Sequence, residues 1–362
     1  MDFQQTFSKN LRAKRKEMGM SQKQLAFKIG FSEKTVSKWE SGKALPSLEV
    51  FAQLCNILGW DSREALNPNR DVYYLGIDGG GTKTAFLLCD KENRVVETYT
   101  CGGCNPYEMG IERTKAVLKE GIAHVCKNIP YSLIRVFAGI AGGRLEAHRQ
   151  SLSQFLNTFG FYAYDVGNDN DNLISVALGG QDGITVIMGT GFCIYQVLNG
   201  KKTQIGGFGY LFDEGGSGYH FGRDALSAMF AHFDGNGTPT VLSQMIEEKT
   251  GMSPRELLPK LYKEEKRYIA SFSPLVFQAQ KQNDPVAQKI VKRNLSAVAT
   301  RLLLAQKGFP EGKINVVFAG GLTKEETLLP QLLELLPQKD RFHFTVLKEE
   351  IVCGAVRLAQ KL

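Results

Sequence analysis

The stretch VYYLGIDGGGTKTAFLL, residues 72–88, decides how the larger part of this chain is read. Residues 72–77 form a strand-like run and residues 85–88 a second one. Between them stands Asp78-Gly79-Gly80-Gly81-Thr82-Lys83-Thr84. A glycine-rich turn between two strands can wrap its N–H groups and Thr hydroxyls around phosphate oxygens, and an Asp at the strand end can hold Mg²⁺ through water. The pattern is neither a Walker loop nor a GxGxxG that opens a helix. Taken alone, it reads equally well as a plain hairpin.

The pattern recurs. Residues 184–188 are apolar, end in Gly189-Thr190-Gly191 and continue as a second run over 192–198. Residues 314–318 end in Ala319-Gly320-Gly321-Leu322-Thr323 before a helical stretch. Three such turns, spread along the chain from Gly79 to Gly321, converge only if two related α/β lobes close around a nucleotide. Glycine fits this reading: it supplies 38 of 362 residues, above the average of roughly 7%, with much of the surplus in doublets and triplets.

The composition, 43% hydrophobic and 22% charged, is that of a globular protein with two or three domains. No apolar run approaches the ~18 residues of a membrane span, and the first residues lack a signal-peptide layout. The seven cysteines are odd in number and scattered, as expected for free thiols in the cytoplasm. Residues 1–70 hold twelve Lys and Arg against seven Asp and Glu, whereas the other 292 residues hold 32 basic and 30 acidic. Most of the net charge of +7 therefore sits in the first fifth of the chain, as in a nucleic-acid-binding domain.

That first fifth is patterned as helices. Phe7, Leu11 and Met18 fall at helical spacing, and Gly19 breaks the run. Ser21 and Gln24 make a capping box for a second helix with Leu25 and Ile29 inward, and Gly30 allows the sharp turn after it. Ser32 caps a third helix over 33–41 carrying Val36 and Trp39. Leu45-Pro46-Ser47 opens a fourth, with Leu48, Phe51, Ala52 and Leu58 inward. Ala26, Gly30, Val36 and Trp39 have the spacing a helix-turn-helix requires.

The string SQKQLAFKIGFSEKTVSKWESGKALPS resembles the XRE/Cro-repressor helix-turn-helix family across about residues 6–66. The resemblance implies an all-α domain over residues 1–67 whose third helix enters the major groove of an operator. Ser32, Lys34, Thr35, Ser37 and Lys38 are then the candidates for base and phosphate contacts, with Gln22 at the start of the second helix. Such domains usually bind as dimers, so a homodimer is expected. The polar run 61–71, with Pro68 between two Asn, reads as a linker, placed at 68–72 between the domains.

From residue 73 onward the chain resembles the BadF/BcrA-type ATPase family and its N-acetylglucosamine kinase branch. The matching pieces are DGGGTKT, GGCNPYEMG (102–110), FAGIAGG (137–143), GNDNDNLISVALGG (167–180), MGTG (188–191), GGFGYLFDEGGSGYHFGRDAL (206–226), AGGLT (319–323) and CGAVRLA (353–359). The resemblance implies a two-lobed α/β actin-like ATPase (ribonuclease H-like) fold, with lobes at 73–180 and 181–362 and a last helix that returns to the first lobe. It implies phosphoryl transfer from ATP, with Mg, to the 6-hydroxyl of an amino sugar of the N-acetylglucosamine or N-acetylmuramic acid class. Asp78, Gly80, Gly81, Thr82 and Lys83 would hold phosphates, with Asp78 on the metal. Gly189, Thr190 and Gly191 would form a second cradle, and Gly320-Gly321 the adenosine wall. Asn105, Gly206 and Gly207 would line the sugar. Asp169 matches the family's general base, although Asn-Asp-Asn-Asp is also good chemistry for capping a helix that starts near Asp171.

Three positions depart from the family pattern. Where the family reads GDEGSGY, this chain has Phe212-Asp213-Glu214-Gly215-Gly216-Ser217-Gly218-Tyr219, so Glu214 or Asp213 stands in for the sugar-binding Asp. Phe208 replaces a common Trp, and Phe192 a common Ser. Cys101 and Cys104 form a single CxxC, read as packing beside the sugar site in preference to a zinc or redox centre. Lys201-Lys202 and KEEKR at 263–267 read as solvated surface. The readings open at this point are an amino-sugar kinase fused to a DNA-binding domain, a non-catalytic regulator that senses sugar or ATP, and an ATPase activator of 2-hydroxyacyl-CoA dehydratase.

Overall fold

The computed structural model describes residues 3–66 and 72–362. Five helices come first: α1 (Phe3–Glu17), α2 (Gln22–Ile29), α3 (Glu33–Glu40), α4 (Leu48–Leu58) and α5 (Ser62–Leu66). The Ser21 capping box is formed, Gly30 ends α2 in the left-handed region at φ 73°, and Ser32 Oγ accepts the Thr35 N–H at the start of α3. Phe7, Leu11, Leu25, Ala26, Val36, Trp39, Leu54 and Leu58 share one small core. Three expectations fail here. Met18 and Ala52 are exposed, and Leu48 is 83% exposed. Leu48 follows the Ser47 cap and faces water, while Leu54 and Leu58 provide the inward stripe. Part of the expected linker is helical: α5 places Ala65 in the core. The rest of it, 67–71, lies outside the described residues.

A buried ion pair that no motif announced closes this core. Arg15 Nε and Nη2 donate to the Glu40 carboxylate at 2.5 and 2.8 Å, and Gln22 Nε2 donates to Glu40 Oε2 at 2.8 Å. Burial pushes the Glu40 carboxyl up, but the hydrogen bonds from Arg15 and Gln22 and the Arg15 charge outweigh it and hold the group below its ordinary value.

The remaining chain builds two sheets of identical plan. Strands β1 (Tyr73–Gly79), β2 (Lys83–Cys89), β3 (Val95–Gly102), β4 (Ile134–Ile140) and β5 (Ala163–Gly167) pair in the order β3-β2-β1-β4-β5. Strands β6 (Gly183–Met188), β7 (Phe192–Leu198), β8 (Lys201–Ile205), β9 (Ile314–Ala319) and β10 (Phe342–Val346) pair as β10-β9-β6-β7-β8. In each, the first three strands form an antiparallel meander and the last two run parallel to the first. Each sheet is backed by helices, and the second lobe buries a larger apolar core built on the helices Gly218–Phe233 and Pro285–Ala305.

The last helix, Ile351–Ala359, packs on the first lobe, with Val352 and Val356 against Leu87 and Cys89, and Ala355 against Phe137. Two glycines permit this. A Cβ at Gly76 would lie 2.6 Å from Val356 N, and one at Gly354 1.9 Å from the carbonyl oxygen of Asn172. The first is contact with β1, the second with the helix Asp169–Leu178, so three elements meet without side chains between them.

Candidate active site

Asp78 occupies the next-to-last position of β1, paired with Ala85 and Gly139 on either side. Asn172, fully buried on the helix Asp169–Leu178, reaches the strand end: its Nδ2 donates to Asp78 Oδ1 at 2.8 Å and to the carbonyl of Ile77 at 3.2 Å. Burial raises the Asp78 carboxyl, opposed by that hydrogen bond and by the Lys83 charge. Asp169 shares the site. Its pKa is pushed up to about 6, first by burial and then by the charge of Asp78.

The helix bearing Asp169 starts at Asp169 itself, earlier than the sequence suggested. Asn168 is the N-cap, its Oδ1 accepting the Asn170 N–H at 3.2 Å, and Asp171 completes the capping box by accepting the Asn168 N–H at 2.8 Å. Asp169 is thus the first helical residue; its Oδ1 also accepts the Asn170 N–H at 3.0 Å, while the capping box itself is closed by Asn168 and Asp171.

The first glycine turn follows Asp78 directly, and the second and third meet one another. Gly80 N–H donates to the Lys83 carbonyl at 3.0 Å, closing a tight turn whose tip is Thr82. Gly320, at φ 107°, lies so close to the second turn that a Cβ there would sit 2.5 Å from the Met188 carbonyl oxygen. Gly189, Thr190 and Gly321 line one cavity of about 360 Å³ together with Gly218, Ser271 and Ser273. Thr84 does not join them: it is buried, its hydroxyl donating to the Gly102 carbonyl at 2.8 Å.

Asn105 caps the short helix Pro106–Met109 by accepting the Tyr107 N–H, and its Oδ1 borders Gly142. Gly143 packs on the Gly167 carbonyl, next to the segment that carries Asp169. From the other lobe, Tyr195 Oη accepts from Asn170 Nδ2 at 3.0 Å, and Arg144 hydrogen-bonds to Gln204, which in turn donates to the carbonyls of Gly206 and Gly207. Lys202, read from sequence as solvated, pairs with Asp171 across the same boundary.

Gly206, Gly207 and Gly209 all adopt positive φ, which suits glycine at each position. Asp213, only 5% exposed, holds this loop: it accepts the N–H groups of Gly207 at 3.2 Å and Gly209 at 3.1 Å and faces Arg301 at 3.7 Å. His220 fixes the following turn, its Nε2 bonded to the Asp213 carbonyl and its Nδ1 to Ser217 Oγ, and burial lowers its pKa. Glu214, by contrast, is exposed. Cys104 lies buried with its Sγ under Gly79, and burial raises its thiol to about 11. No cluster of three or more metal-ligating side chains occurs among the described residues. The buried Asp78 carboxylate, with no cluster of ligands around it, is a donor set that suits a cation held mostly by water and other oxygens.

On α3, Ser32, Lys34, Ser37 and Lys38 are exposed along one element, Thr35 is half-buried, and Gln22 is engaged with Glu40. Among the described residues no helix is long and apolar enough to cross a membrane.

Two related α/β lobes closing on glycine turns and paired carboxylates define an actin-like ATPase fold, preceded by a helix-turn-helix. The model of the BadF/BadG/BcrA/BcrD ATPase family matches residues 75–347, and the chain belongs to that family. A helix-turn-helix model matches residues 11–63. The chain is 26% identical over 284 residues to an N-acetyl-D-glucosamine kinase of Dictyostelium discoideum, covering 72% of this chain and 88% of that one. It is 28% identical over 264 residues to an N-acetylmuramic acid/N-acetylglucosamine kinase of Clostridium acetobutylicum, covering 69% and 85%. A solved structure assigned as an N-acetylglucosamine kinase from Chromobacterium violaceum superposes with a TM-score of 0.65 at 23% identity, over 80% of this chain and 99% of that one. A ROK family transcriptional regulator, homologous to the E. coli MLC protein, superposes over 99% of this chain and 96% of that one, with a TM-score of 0.55 at 11% identity.

Proposed function

We propose that this chain phosphorylates an amino sugar of the N-acetylglucosamine or N-acetylmuramic acid class, using ATP, and that its N-terminal domain binds a DNA operator as a homodimer. The observation that carries the kinase reading is the pairing of two buried carboxylates, Asp78 and Asp169, the charge of one raising the other, with the first glycine turn starting directly after Asp78. Both amino-sugar kinase relatives support the substrate class, and the ROK regulator supports the pairing of such lobes with a DNA-binding domain.

In this reading Asp169 accepts the proton of the sugar 6-hydroxyl as its oxygen attacks the terminal phosphorus of ATP. An elevated pKa near 6 keeps Asp169 basic enough to take that proton while ionised at neutral pH. The turns at Gly80–Lys83 and Gly189–Gly191 supply N–H donors to the phosphates, and Gly320-Gly321 flanks the nucleoside. Mg²⁺ would be held at Asp78 through water, neutralising phosphate charge. Asn105, Gly206 and Gly207 line the sugar. Asp213 shapes that wall by holding its backbone, and Glu214 is the carboxylate left free to meet hydroxyls.

A second reading, a sensor that binds sugar and ATP without turnover, is favoured by one feature: the sugar-side carboxylate is the longer Glu214, with Asp213 committed to the loop and Arg301. ADP release with MgATP against a panel of sugars separates the two. Turnover with N-acetylglucosamine or N-acetylmuramic acid supports the kinase; tight binding of either with no ADP release assigns the region to sensing. Operator affinity at fixed salt, with and without sugar and nucleotide, tests whether lobe closure reaches the DNA-binding domain.

A further inference from the structure

The KEEKR stretch holds an arginine that the reading above does not use. Arg267 lies on the short helix Lys266–Ala270, and its Nη2 donates to Thr82 Oγ1, the tip of the first glycine turn, in the opposite lobe. The same side chain lines the cavity bounded by Gly189, Thr190 and Gly321. It is therefore the one basic residue of that cavity's lining, and it touches or borders all three glycine turns at once. Among the described residues it forms no ion pair, and its single side-chain bond is to a neutral hydroxyl.

Its backbone is held in place. Gly222 packs so tightly under this helix that a Cβ there would lie 1.9 Å from the Ile269 carbonyl oxygen, and Ala270 is buried at the next position. The guanidinium thus extends from a fixed base beside a cavity lined by Gly189, Thr190, Ser271, Ser273 and Gly321, whose single carboxylate, Glu325, is paired with Lys281.

We propose that Arg267 is a nucleotide-binding residue that exchanges its bond to Thr82 for the phosphate oxygens of a bound nucleoside triphosphate, joining the two lobes through the ligand. The inference rests on the nucleotide reading of the cleft. Its physical basis is that a planar guanidinium with five donors matches phosphate geometry and gains more from a charged acceptor than from a neutral hydroxyl. In that reading Lys83, whose charge already acts on Asp78 in the first lobe, would have its counterpart in Arg267 on the second.

The test compares full-length wild type, Arg267→Gln and Arg267→Lys by direct binding of MgATP and of adenosine, which lacks phosphates, with the melting temperature as a control for folding. Loss of one charged hydrogen-bonding partner predicts MgATP binding weaker by about tenfold to a hundredfold in Arg267→Gln. Adenosine binding and melting stay as in wild type, and Arg267→Lys recovers part of the MgATP affinity. Equal MgATP affinity in wild type and Arg267→Gln overturns the inference while leaving the nucleotide site standing. An equal loss of adenosine overturns it too, since the residue then acts on the base or the cavity shape. A wild-type chain that binds neither MgATP nor adenosine overturns the nucleotide reading itself, and the inference with it.

Discussion

The two sheets follow one plan, yet their equivalent strands end differently. β1 closes on Asp78-Gly79, whereas β6 closes on Ile187 and the fully buried Met188. The first lobe also contributes Asp169, so both carboxylates at the foot of the cleft come from the same half. The second lobe offers backbone: Gly189–Gly191, Gly320-Gly321 and the positive-φ loop from Gly206 to Gly209. The fold is repeated, but the two buried carboxylates both belong to one copy, while the other contributes glycine turns, Arg267 and the exposed Glu214.

This contrast is open to attack at several points. The largest effect is expected in the second lobe at Gly320→Ala. Its Cβ would meet the Met188 backbone at 2.5 Å from a φ of 107°, a clash and backbone strain together costing about 2–4 kcal/mol. Chemical denaturation reads that loss. Nucleotide affinity falls with it, while sugar affinity, measured calorimetrically, holds; a variant that loses both equally would show that the nucleotide and sugar walls of the second lobe are not independent.

In the first lobe, folding raises Asp169 from its ordinary 3.8 to about 6. Burying the charge therefore costs stability that is absent below about pH 4 and complete above about pH 6. Asp169→Asn, without nucleotide or metal, should stabilise the fold by about 3 kcal/mol at pH 8 and by no more than about 0.5 kcal/mol at pH 4. Equal stability of the two proteins at pH 8 would mean that the site is not strained by its own carboxylates.

Smaller still is Asp213→Asn, which weakens the grip on Gly207 and Gly209. Sugar KM should rise about tenfold with ATP KM unchanged, as one charge-assisted loop contact is lost. Lys38→Ala, on α3, is the control outside both lobes. Operator affinity should fall several-fold, with the salt slope reduced by about one if Lys38 meets a phosphate, and neither KM should move.

The glycine turns and the Asn-Asp segment were legible in the sequence because strand ends and caps are written locally. The helix-turn-helix was legible for the same reason, through Ser21, Gly30 and Ser32. Residues that act across long sequence distances were not. Asn172 reaches Asp78 from 94 positions away and Arg267 reaches Thr82 from 185, and neither partner is written in the local pattern around the residue. Arg15 and Glu40 each look like surface charge until α1 and α3 pack together. Leu48 misled in the opposite sense: helical spacing assigns a face, but a residue just past a cap can still point to water.

The most direct test of the account is the kcat of Asp169→Asn against the sugar that wild type turns over, with sugar and MgATP affinities measured alongside. If Asp169 is the base, kcat falls by about 10²–10⁴ while both affinities stay near wild type. A variant that keeps kcat within threefold would contradict the account, leaving the carboxylate pair without a role in phosphoryl transfer.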